Sequence, residues 1–301
     1  MRVFLTGASG FIGSAIVQEL LTAGHQVLGL ARSDQSAQAL AQAGAEVHRG
    51  TLDDLESLRR GAASSDGVIH TAFGHDFSAM PAAGEADLRA IEAMGEALAG
   101  SQRPLVITSA MGHSVQGRVT TEADRPDPNT PAKHRVASEA ATLALATRGV
   151  RSSLMRLPFS VHGDGDYAFV PALIGVARAK GVSAYIGEGL NHWPAVHRLD
   201  AAHAFRLALE KGAPGSTFHA VAEEGVRTRE IAEVIGQRLN LPVVGKSAAQ
   251  AGAHFGWLAH FLAMDVVASS STTKRELGWQ PKQVGLIADL EQGRYFENRG
   301  K

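Results

Sequence analysis

The sequence predicts an α/β fold built on a doubly wound parallel sheet. Its first half repeats one unit, in which a short aliphatic or β-branched run precedes a longer amphipathic stretch. The predicted strands are Val3–Thr6, Gln26–Leu30, Ala45–His48, Gly67–Thr71, Leu105–Thr108 and Ser153–Arg156. The predicted helices are Phe11–Ala23, Ser36–Ala43, Leu52–Arg60, Ala86–Ala99 and Pro131–Thr147. Strands and helices that alternate in this way predict crossover connections on both faces of the sheet.

The second half of the chain is less regular. Two turn-rich loops follow Pro158, at Gly163–Asp166 and at Gly187–Pro194, and a helix is predicted over Asp200–Lys211. We therefore expect a large domain and a smaller, partly discontinuous C-terminal domain. The expected boundaries are 1–165 with 195–221 for the large domain, and 166–194 with 222–301 for the smaller one.

Composition limits the function classes. The 301 residues carry a net charge of −1, which leaves no basic surplus for nucleic acid or an anionic membrane. The absence of cysteine excludes disulfides and thiolate metal sites. No segment has the roughly 18 apolar residues of a membrane span, and the first twenty residues do not resemble a signal peptide. We expect a cytoplasmic protein.

A glycine-rich turn follows the first predicted strand and opens the first predicted helix. It reads Thr6-Gly7-Ala8-Ser9-Gly10-Phe11-Ile12-Gly13. Gly7 permits a sharp turn, Gly10 lets a diphosphate approach the backbone, and Gly13 lets the helix pack closely on the sheet. Free amides at the helix start favour that anion. The turn predicts a dinucleotide site, the alternative being a purely structural strand–helix turn.

The end of the second predicted strand indicates which dinucleotide binds. An NAD-preferring site places a carboxylate there for the ribose 2′-hydroxyl, whereas this chain has Arg32 and Ser33. A guanidinium suits a 2′-phosphate, so the sequence favours NADP(H). The alternative is that Arg32 is a solvated loop residue and Asp34 binds the ribose.

Several further segments extend these motifs along nearly the whole chain. They are Val68-Ile69-His70-Thr71-Ala72, Val106-Ile107-Thr108-Ser109-Ala110, Arg156–Gly163, Ala195–Ala202 and Leu277-Gly278-Trp279-Gln280-Pro281. With these motifs the chain resembles the extended, epimerase/dehydratase-like short-chain dehydrogenase/reductases, in one of their atypical branches. The resemblance implies a Rossmann fold with a C-terminal substrate domain, and it implies that Arg156–Gly163 contacts the nicotinamide. The cofactor contacts expected from the turn and this resemblance are Gly7, Ser9, Gly10, Phe11, Ile12, Gly13, Arg32, Ser33, Leu52, Thr71, Ala72, Phe73, Arg135 and Pro158.

The catalytic motif of that family is altered here. Its Tyr-x-x-x-Lys would align with Pro131 and Arg135. Proline cannot transfer a proton, and arginine supplies charge and hydrogen bonds but does not deprotonate. The catalytic hydroxyl of the family aligns with Ser109 or with Ala110. The residue Thr51 also stands where the family usually has an aspartate.

Other residues are candidates for the missing proton donor. Tyr167 follows the nicotinamide segment, and His113 and His134 lie near the altered motif, where their side chains titrate near neutral pH. The catalytic candidates are thus Ser109, Arg135, His134 and Tyr167. The expected substrate contacts are His113, Tyr167, Trp193 and His197, with Asn191–Trp193 interpreted as a loop at the cleft. Simple packing is the alternative for Trp193 and Tyr167, and a surface position for the histidines.

Two further patterns bear on partners. The histidines show no metal-ligand spacing, so no metal site is predicted. The apolar stripe Phe255, Trp257, Phe261 and Leu262 fits a pocket wall, a homodimer contact or ordinary core packing. The sequence therefore predicts an NADP-dependent oxidoreductase that moves a hydride between nicotinamide and a small carbonyl or alcohol substrate. The alternatives are a non-catalytic NADP-binding redox sensor and a nucleotide-sugar epimerase or dehydratase.

Overall fold

The computed structural model describes residues 1–74, 80–111, 118–126 and 133–297, without the side chains of residues 133 and 134. Its strands are β1 (Arg2–Thr6), β2 (Gln26–Ala31), β3 (Glu46–Arg49), β4 (Gly67–His70), β5 (Pro104–Ala110), β6 (Arg151–Leu157), β7 (Ser160–His162), β8 (Ser183–Ile186), β9 (His192–His197), β10 (Ser216–His219), β11 (Glu223–Arg227) and β12 (Val243–Lys246). Its α-helices are α1 (Phe11–Thr22), α2 (Asp34–Gln42), α3 (Leu55–Ala63), α4 (Met80–Leu98), α5 (Lys133–Ala144), α6 (Phe169–Lys180), α7 (Arg198–Lys211), α8 (Thr228–Leu239), α9 (Ala248–Phe255), α10 (Leu258–Leu262), α11 (Ser271–Leu277) and α12 (Leu286–Gln292).

The main sheet has seven parallel strands in the order β10-β6-β5-β4-β1-β2-β3. This confirms the predicted doubly wound α/β class. The strand order reverses between β1 and β4, and ligands of such sheets bind at the carboxyl ends of the strands beside this reversal. The sheet therefore places the end of β1, which leads into the glycine turn, at its expected ligand-binding edge.

Capping side chains explain where α2 and α3 begin. Helix α2 begins two residues earlier than predicted because the Ser33 hydroxyl accepts the amide of Ser36. Helix α3 begins three residues later because the Asp54 carboxylate accepts the amide of Ser57. These side chains satisfy amides that the first turn leaves without a helical partner, and so fix the first turn.

The less regular half forms two small sheets, with strand orders β11-β9-β7 and β12-β8. The interpretation of Asn191–Trp193 as part of a loop was wrong for its last two residues, since His192 begins β9. Pro194 lies inside this central strand although it has no amide hydrogen. The partner strand β11 shifts its register between Glu223 and Val226, opposite the proline, and this irregularity accommodates the missing donor.

The apolar core is divided in the same way as the sheets. Two clusters cover the two faces of the main sheet, and Trp279 and Phe205 lie in one of them. A third cluster, centred on Trp193 and Leu173, joins α6, α8, α9 and α12 to the small sheets. Within the described ranges, no helix has the length and apolar character needed to cross a bilayer.

Candidate functional site

The glycine turn at the end of β1 leaves no room for side chains. Gly7 has a φ of +70°, and a Cβ added there would lie 2.6 Å from the Thr71 hydroxyl and 2.7 Å from the Ala72 amide. A Cβ on Gly13 would overlap the carbonyl oxygen of Gly7. These contacts bring three backbone segments together, which only glycine permits.

The amides at the start of α1 have no side-chain cap, in contrast to those of α2 and α3. Gly10 occupies the N-cap position without a side-chain hydrogen bond, and the first turn contains no acidic residue. Ser9 is exposed, and Gly10, Phe11 and Ile12 are half-buried around this opening. The N-terminus of α1 is thus a backbone-lined position suited to an anionic diphosphate, so the residues present fit a dinucleotide.

Arg32 and Asp34, the alternative ribose contacts predicted from the sequence, both follow β2 but differ in their contacts. Arg32 is exposed, whereas the Asp34 carboxylate, itself exposed, pairs with the Arg49 guanidinium at 2.6 Å. The hydroxyl of Ser33 caps α2. The carboxylate that would serve an unphosphorylated ribose is therefore engaged by a cation, and Arg32 adds a second positive charge nearby.

The other predicted cofactor contacts lie along the carboxyl edge of the sheet. Thr71, Ala72 and Phe73 follow β4 and are half-buried; the Thr71 hydroxyl donates to the carbonyl oxygen of Thr6 at 2.8 Å. Leu52 is half-buried beyond β3, and Pro158 is buried directly after β6. They form one continuous edge from the glycine turn to the predicted nicotinamide segment.

Arg135 lies on α5, where its guanidinium is buried and bound to other protein groups. Its Nη1 donates to the Asp87 carboxylate at 3.1 Å, and its guanidinium carbon lies 3.5 Å from the centre of the Phe73 ring. Asp87 also accepts the Ser138 hydroxyl at 2.6 Å and contacts Nε2 of His70 at 3.1 Å. This buried carboxylate fixes the position of the Arg135 guanidinium.

The charge state of Asp87 follows from these partners. Burial by itself raises the pKa of this carboxyl, but the hydrogen bond from His70 and the positive charge of Arg135 outweigh burial, and the net pKa is lowered. The other ring nitrogen of His70 lies 2.7 Å from the Thr6 hydroxyl. Asp87 is therefore a buried anion stabilised on several sides.

Ser109 is buried and points away from the cleft, into the layer between the sheet and α5. Its hydroxyl donates to Glu139 at 2.6 Å, and Arg156 binds the same carboxylate through Nε (3.1 Å) and Nη2 (2.7 Å). Ala110, the alternative position for the catalytic hydroxyl, is exposed at the end of β5. Strand β5 therefore exposes the methyl group of Ala110 at its end, whereas the hydroxyl of Ser109 is bound to the ion pair of Glu139 and Arg156.

Tyr167 lies beside the glycine turn, where its ring contacts Phe11. Its side chain is 72% exposed and meets the ring of Phe11 edge-on, with centroids 6.1 Å apart. The guanidinium of Arg198 lies 4.7 Å from the same ring and donates to the Ser14 hydroxyl and to the Asp164 carbonyl. The structure thus does not bring Tyr167 together with Ser109 and Arg135.

His197 lies next to a cluster of titratable groups behind the predicted nicotinamide segment. Its Nδ1 accepts the Leu199 amide, its ring contacts His162 edge-on, and burial lowers its pKa. His162 is fully buried and bound to Asp289 at 2.9 Å. This environment favours the neutral form of His197, whose side chain caps α7.

The structure places Trp193 in the core and not on a cleft wall. It is fully buried, and its indole N–H donates to the carbonyl oxygen of Phe261 at 3.0 Å. The Trp193 ring has no accessible surface for a substrate, so we remove it from the expected substrate contacts. His113 and Pro131 lie outside the described residues, as does the side chain of His134.

Sequence reasoning missed Asp87, Glu139, Arg198 and the Asp166–Tyr295 pair. Asp87 had a visible signal, because it stands on the buried face of α4 among Gly84, Ala90, Ile91 and Met94. A carboxylate on an apolar stripe predicts a buried partner of opposite charge. Within the described residues, no group of three or more His, Asp or Glu side chains is arranged to hold a metal ion.

Other proteins are similar in sequence to most of this chain. A protein of Schizosaccharomyces pombe, itself uncharacterised, is 53% identical over 298 residues, which cover 98% of this chain and 100% of that one. A sterol-4-alpha-carboxylate 3-dehydrogenase (decarboxylating) of Dictyostelium discoideum is 29% identical over 244 residues, 76% of this chain and 74% of the other.

The fold is shared with a solved structure of a dTDP-glucose 4,6-dehydratase from Streptomyces venezuelae with NAD bound. The TM-score is 0.81 at 21% identity, over 99% of this chain and 98% of that one. The family model for the NAD dependent epimerase/dehydratase family matches residues 3–221, which include the glycine turn, Arg135 and the Arg156–Gly163 segment. The chain belongs to the NAD dependent epimerase/dehydratase family, whose members use a nicotinamide cofactor.

Proposed function

We propose that the protein is an NADP-dependent oxidoreductase that transfers a hydride between nicotinamide and the carbonyl or alcohol carbon of a small substrate. The observation that carries the proposal is the end of β2. There Arg32 is exposed, and the nearby carboxylate of Asp34 is engaged by Arg49. An arrangement with two guanidinium groups and one paired carboxylate favours a phosphorylated ribose. The dehydrogenase among the relatives supports hydride transfer as the chemistry.

The proposal assigns separate tasks along the sheet edge. When bound, the nicotinamide cofactor supplies the hydride chemistry. The uncapped start of α1 binds the diphosphate, and Arg32 with Ser33 binds the ribose phosphate. Arg135, fixed by Asp87 and Phe73, supplies a positive charge of constant position at the end of β5. Such a charge stabilises the alkoxide that hydride transfer to a carbonyl produces, and the alkoxide then takes its proton from water, because arginine does not release one.

The cofactor preference is tested with Arg32→Glu. The new carboxylate repels a 2′-phosphate and accepts from a 2′-hydroxyl, so we expect NADPH affinity to fall at least tenfold and NADH affinity to stay equal or rise. Isothermal titration calorimetry with both cofactors measures the change. Arg229→Glu, on the exposed surface of α8, is the control for net charge. Equal loss of both affinities, or no change in their ratio, would remove Arg32 from the proposal.

The activity is tested by following NADPH absorbance at 340 nm with a panel of aldehydes, ketones and enones. The proposal expects consumption of NADPH that depends on both enzyme and carbonyl compound. Arg135→Lys keeps the charge but removes the planar guanidinium, and we expect it to lower kcat more than it raises KM. If no carbonyl compound in a broad panel oxidises NADPH although NADPH binds, hydride transfer is refuted.

A second candidate function is a non-catalytic NADP-binding redox sensor. The observation that favours it is the internal pairing of Ser109 with Glu139 and of Arg135 with Asp87. A sensor is expected to bind one oxidation state of the cofactor at least tenfold more tightly without turnover. Titration of the protein with NADP⁺ and with NADPH separates the two functions.

A further inference from the structure

Five aromatic side chains meet beside the predicted nicotinamide segment. We call Phe159, Phe169, Trp193, Trp257 and Phe261 the aromatic cluster. The ring centroids of Phe159 lie 6.2, 6.0 and 6.2 Å from those of Phe169, Trp193 and Phe261. Those of Phe169 and Phe261 are 4.9 Å apart. Edge-to-face and tilted contacts of this kind hold the rings in fixed orientations.

The aromatic cluster connects the cofactor edge with the small domain. Phe159 directly follows Pro158 at the carboxyl end of β6, whereas Phe169 begins α6 and Phe261 lies on α10. The rings therefore come from separate parts of the fold and converge beside Phe159, which belongs to the predicted nicotinamide segment. Phe159, Phe169 and Phe261 pack against the apolar core around Trp193 but are themselves only partly buried, so part of each ring stays accessible.

The cluster is buried at one end and open at the other. Trp193 is fully buried, Phe159, Phe169 and Phe261 are half-buried, and Trp257 is 49% exposed. Trp257 lies 5.7 Å from Phe169 and 6.0 Å from Phe261, measured between ring centroids. The open side of the cluster is an aromatic wall that leads from solvent towards the end of β6, and it consists of Phe159, Phe169, Phe261 and Trp257 above the buried Trp193.

We propose that this wall selects an apolar, planar substrate, namely an aryl or other ring-bearing aldehyde or ketone. The proposal rests on the oxidoreductase function and specifies its substrate class. Flat rings held edge-to-face offer stacking surfaces to a flat ring, and burial of apolar surface stabilises the complex further. The half-buried rings of Phe159 and Phe261 place that surface next to the nicotinamide segment.

The same wall is poorly suited to a nucleotide sugar. A nucleoside diphosphate carries negative charge that is bound by cations or by several N–H donors. The five members of the aromatic cluster carry no charge, and their only polar hydrogens are two indole N–H groups. That of Trp193 already donates to the carbonyl oxygen of Phe261. The wall thus favours rings without charge over sugar diphosphates.

Trp257 provides a binding signal that is independent of turnover. Of the three tryptophans, Trp193 and Trp279 are fully buried, so a ligand on the open wall changes mainly the fluorescence of Trp257. The protein is saturated with NADP⁺, which prevents reduction, and titrated with benzaldehyde, with pentanal and with UDP-glucose. We expect saturable quenching by benzaldehyde at concentrations at least tenfold below those of the other two, and no such signal from Trp257→Leu.

Kinetics with NADPH provide the second readout. We expect kcat/KM for benzaldehyde to exceed that for pentanal by at least tenfold. Trp257→Ala should raise KM for the aryl substrate about tenfold with little change in kcat, and should change KM for pentanal less than twofold. Val284→Ala is the matched control, because Val284 is equally exposed outside the cluster. Phe169→Leu, which keeps a large apolar side chain in the core, should also raise KM for the aryl substrate.

The outcomes separate the substrate class from the function. NADPH oxidation without aryl preference, or tighter binding of UDP-glucose, would overturn the inference and leave the oxidoreductase function standing. Quenching by benzaldehyde without any NADPH oxidation would support the aromatic site and overturn the oxidoreductase function. Neither quenching nor oxidation would overturn both.

Discussion

At the glycine turn between β1 and α1, backbone amides face the sheet edge without a side-chain cap, whereas at the end of β5 the polar side chains bind one another. The N-cap Gly10 forms no side-chain hydrogen bond. In contrast, Arg135 is paired with Asp87, and Ser109 with Glu139. One region thus keeps its donors available for an external anion, and the other satisfies its charges internally.

This difference shows that cofactor binding and catalytic chemistry are separable in one sheet. The glycine turn depends on backbone shape, which survives many side-chain changes. The end of β5 depends on particular side chains, and there Arg135 forms a fixed, buried ion pair with Asp87.

The largest expected effect is the loss of stability caused by Asp87→Ala, which breaks the buried ion pair with Arg135. This change leaves the Arg135 guanidinium buried without its carboxylate and removes the acceptor of Ser138. Loss of one partner of a buried ion pair costs about 3–5 kcal/mol. We expect the free energy of unfolding, measured with urea, to fall by about that amount.

The control for this prediction is Asp34→Ala, which removes an exposed ion pair with Arg49. Exposed pairs contribute at most about 1 kcal/mol, so this variant should unfold close to the wild type. Replacing both Asp87 and Arg135 with apolar residues should recover much of the loss. Equal stability of Asp87→Ala and Asp34→Ala would show that the buried pair contributes no more to the free energy of unfolding than the exposed pair does.

The next largest effect is expected for Gly13→Ala, which fills the space between α1 and the backbone of Gly7 in the glycine turn. The added Cβ would overlap the carbonyl oxygen of Gly7 and lie 2.7 Å from its carbonyl carbon, so backbone atoms must move. Overpacking of this kind costs about 1–3 kcal/mol. We also expect NADPH affinity to fall at least tenfold, because the amides of α1 are displaced.

A glycine in open space is the matched control for this substitution. Gly175, within α6, has no atom within 4 Å of an added Cβ. Gly175→Ala should therefore stabilise the protein by up to about 1 kcal/mol, as expected for alanine in a helix interior. If Gly13→Ala binds NADPH as tightly as the wild type does, the close packing at Gly13 does not position the α1 amides for the cofactor.

The sequence predicted most of the main sheet but little of the polar network at its edge. Strand and helix positions follow from apolar periodicity and glycine turns, which are local signals. The pairing of Asp87 with Arg135 joins residues 48 positions apart, and that of His162 with Asp289 joins residues 127 positions apart. No local pattern encodes which charges meet, because tertiary packing decides it. Trp193 failed as a substrate contact for the same reason.

Asp166 is another buried carboxyl, and it differs from Asp87 because neither of its hydrogen-bond partners within the described ranges is a cation. It accepts the Ala168 amide at 2.8 Å and the Tyr295 hydroxyl at 3.2 Å. Burial raises the pKa of Asp166 to about 6, whereas His70 and Arg135 hold the pKa of Asp87 below its usual value. The two residues show how a paired charge decides the ionisation of a buried acid.

The smallest expected effect follows from this raised pKa. An unfolded aspartate has a pKa of about 3.9, so between pH 4 and 6 the folded state retains a proton that the unfolded state has lost. The contribution of protonated Asp166 to the free energy of unfolding is therefore complete below pH 4, and it is lost as the pH rises through 6. Asp166→Asn cannot ionise, so its stability relative to the wild type should increase by about 2 kcal/mol between pH 4 and 7.

Urea unfolding of both proteins at several pH values between 4 and 7.5 measures this difference directly, because the other titrating groups are common to both. Asp164→Asn is the control, since it makes the same substitution at an exposed position of the same loop. Parallel profiles for Asp166→Asn and the wild type would mean that Asp166 ionises normally in the folded protein. The contrast between Asp87, where hydrogen bonds and a neighbouring cation outweigh burial, and Asp166, where burial outweighs its partners, would then be lost.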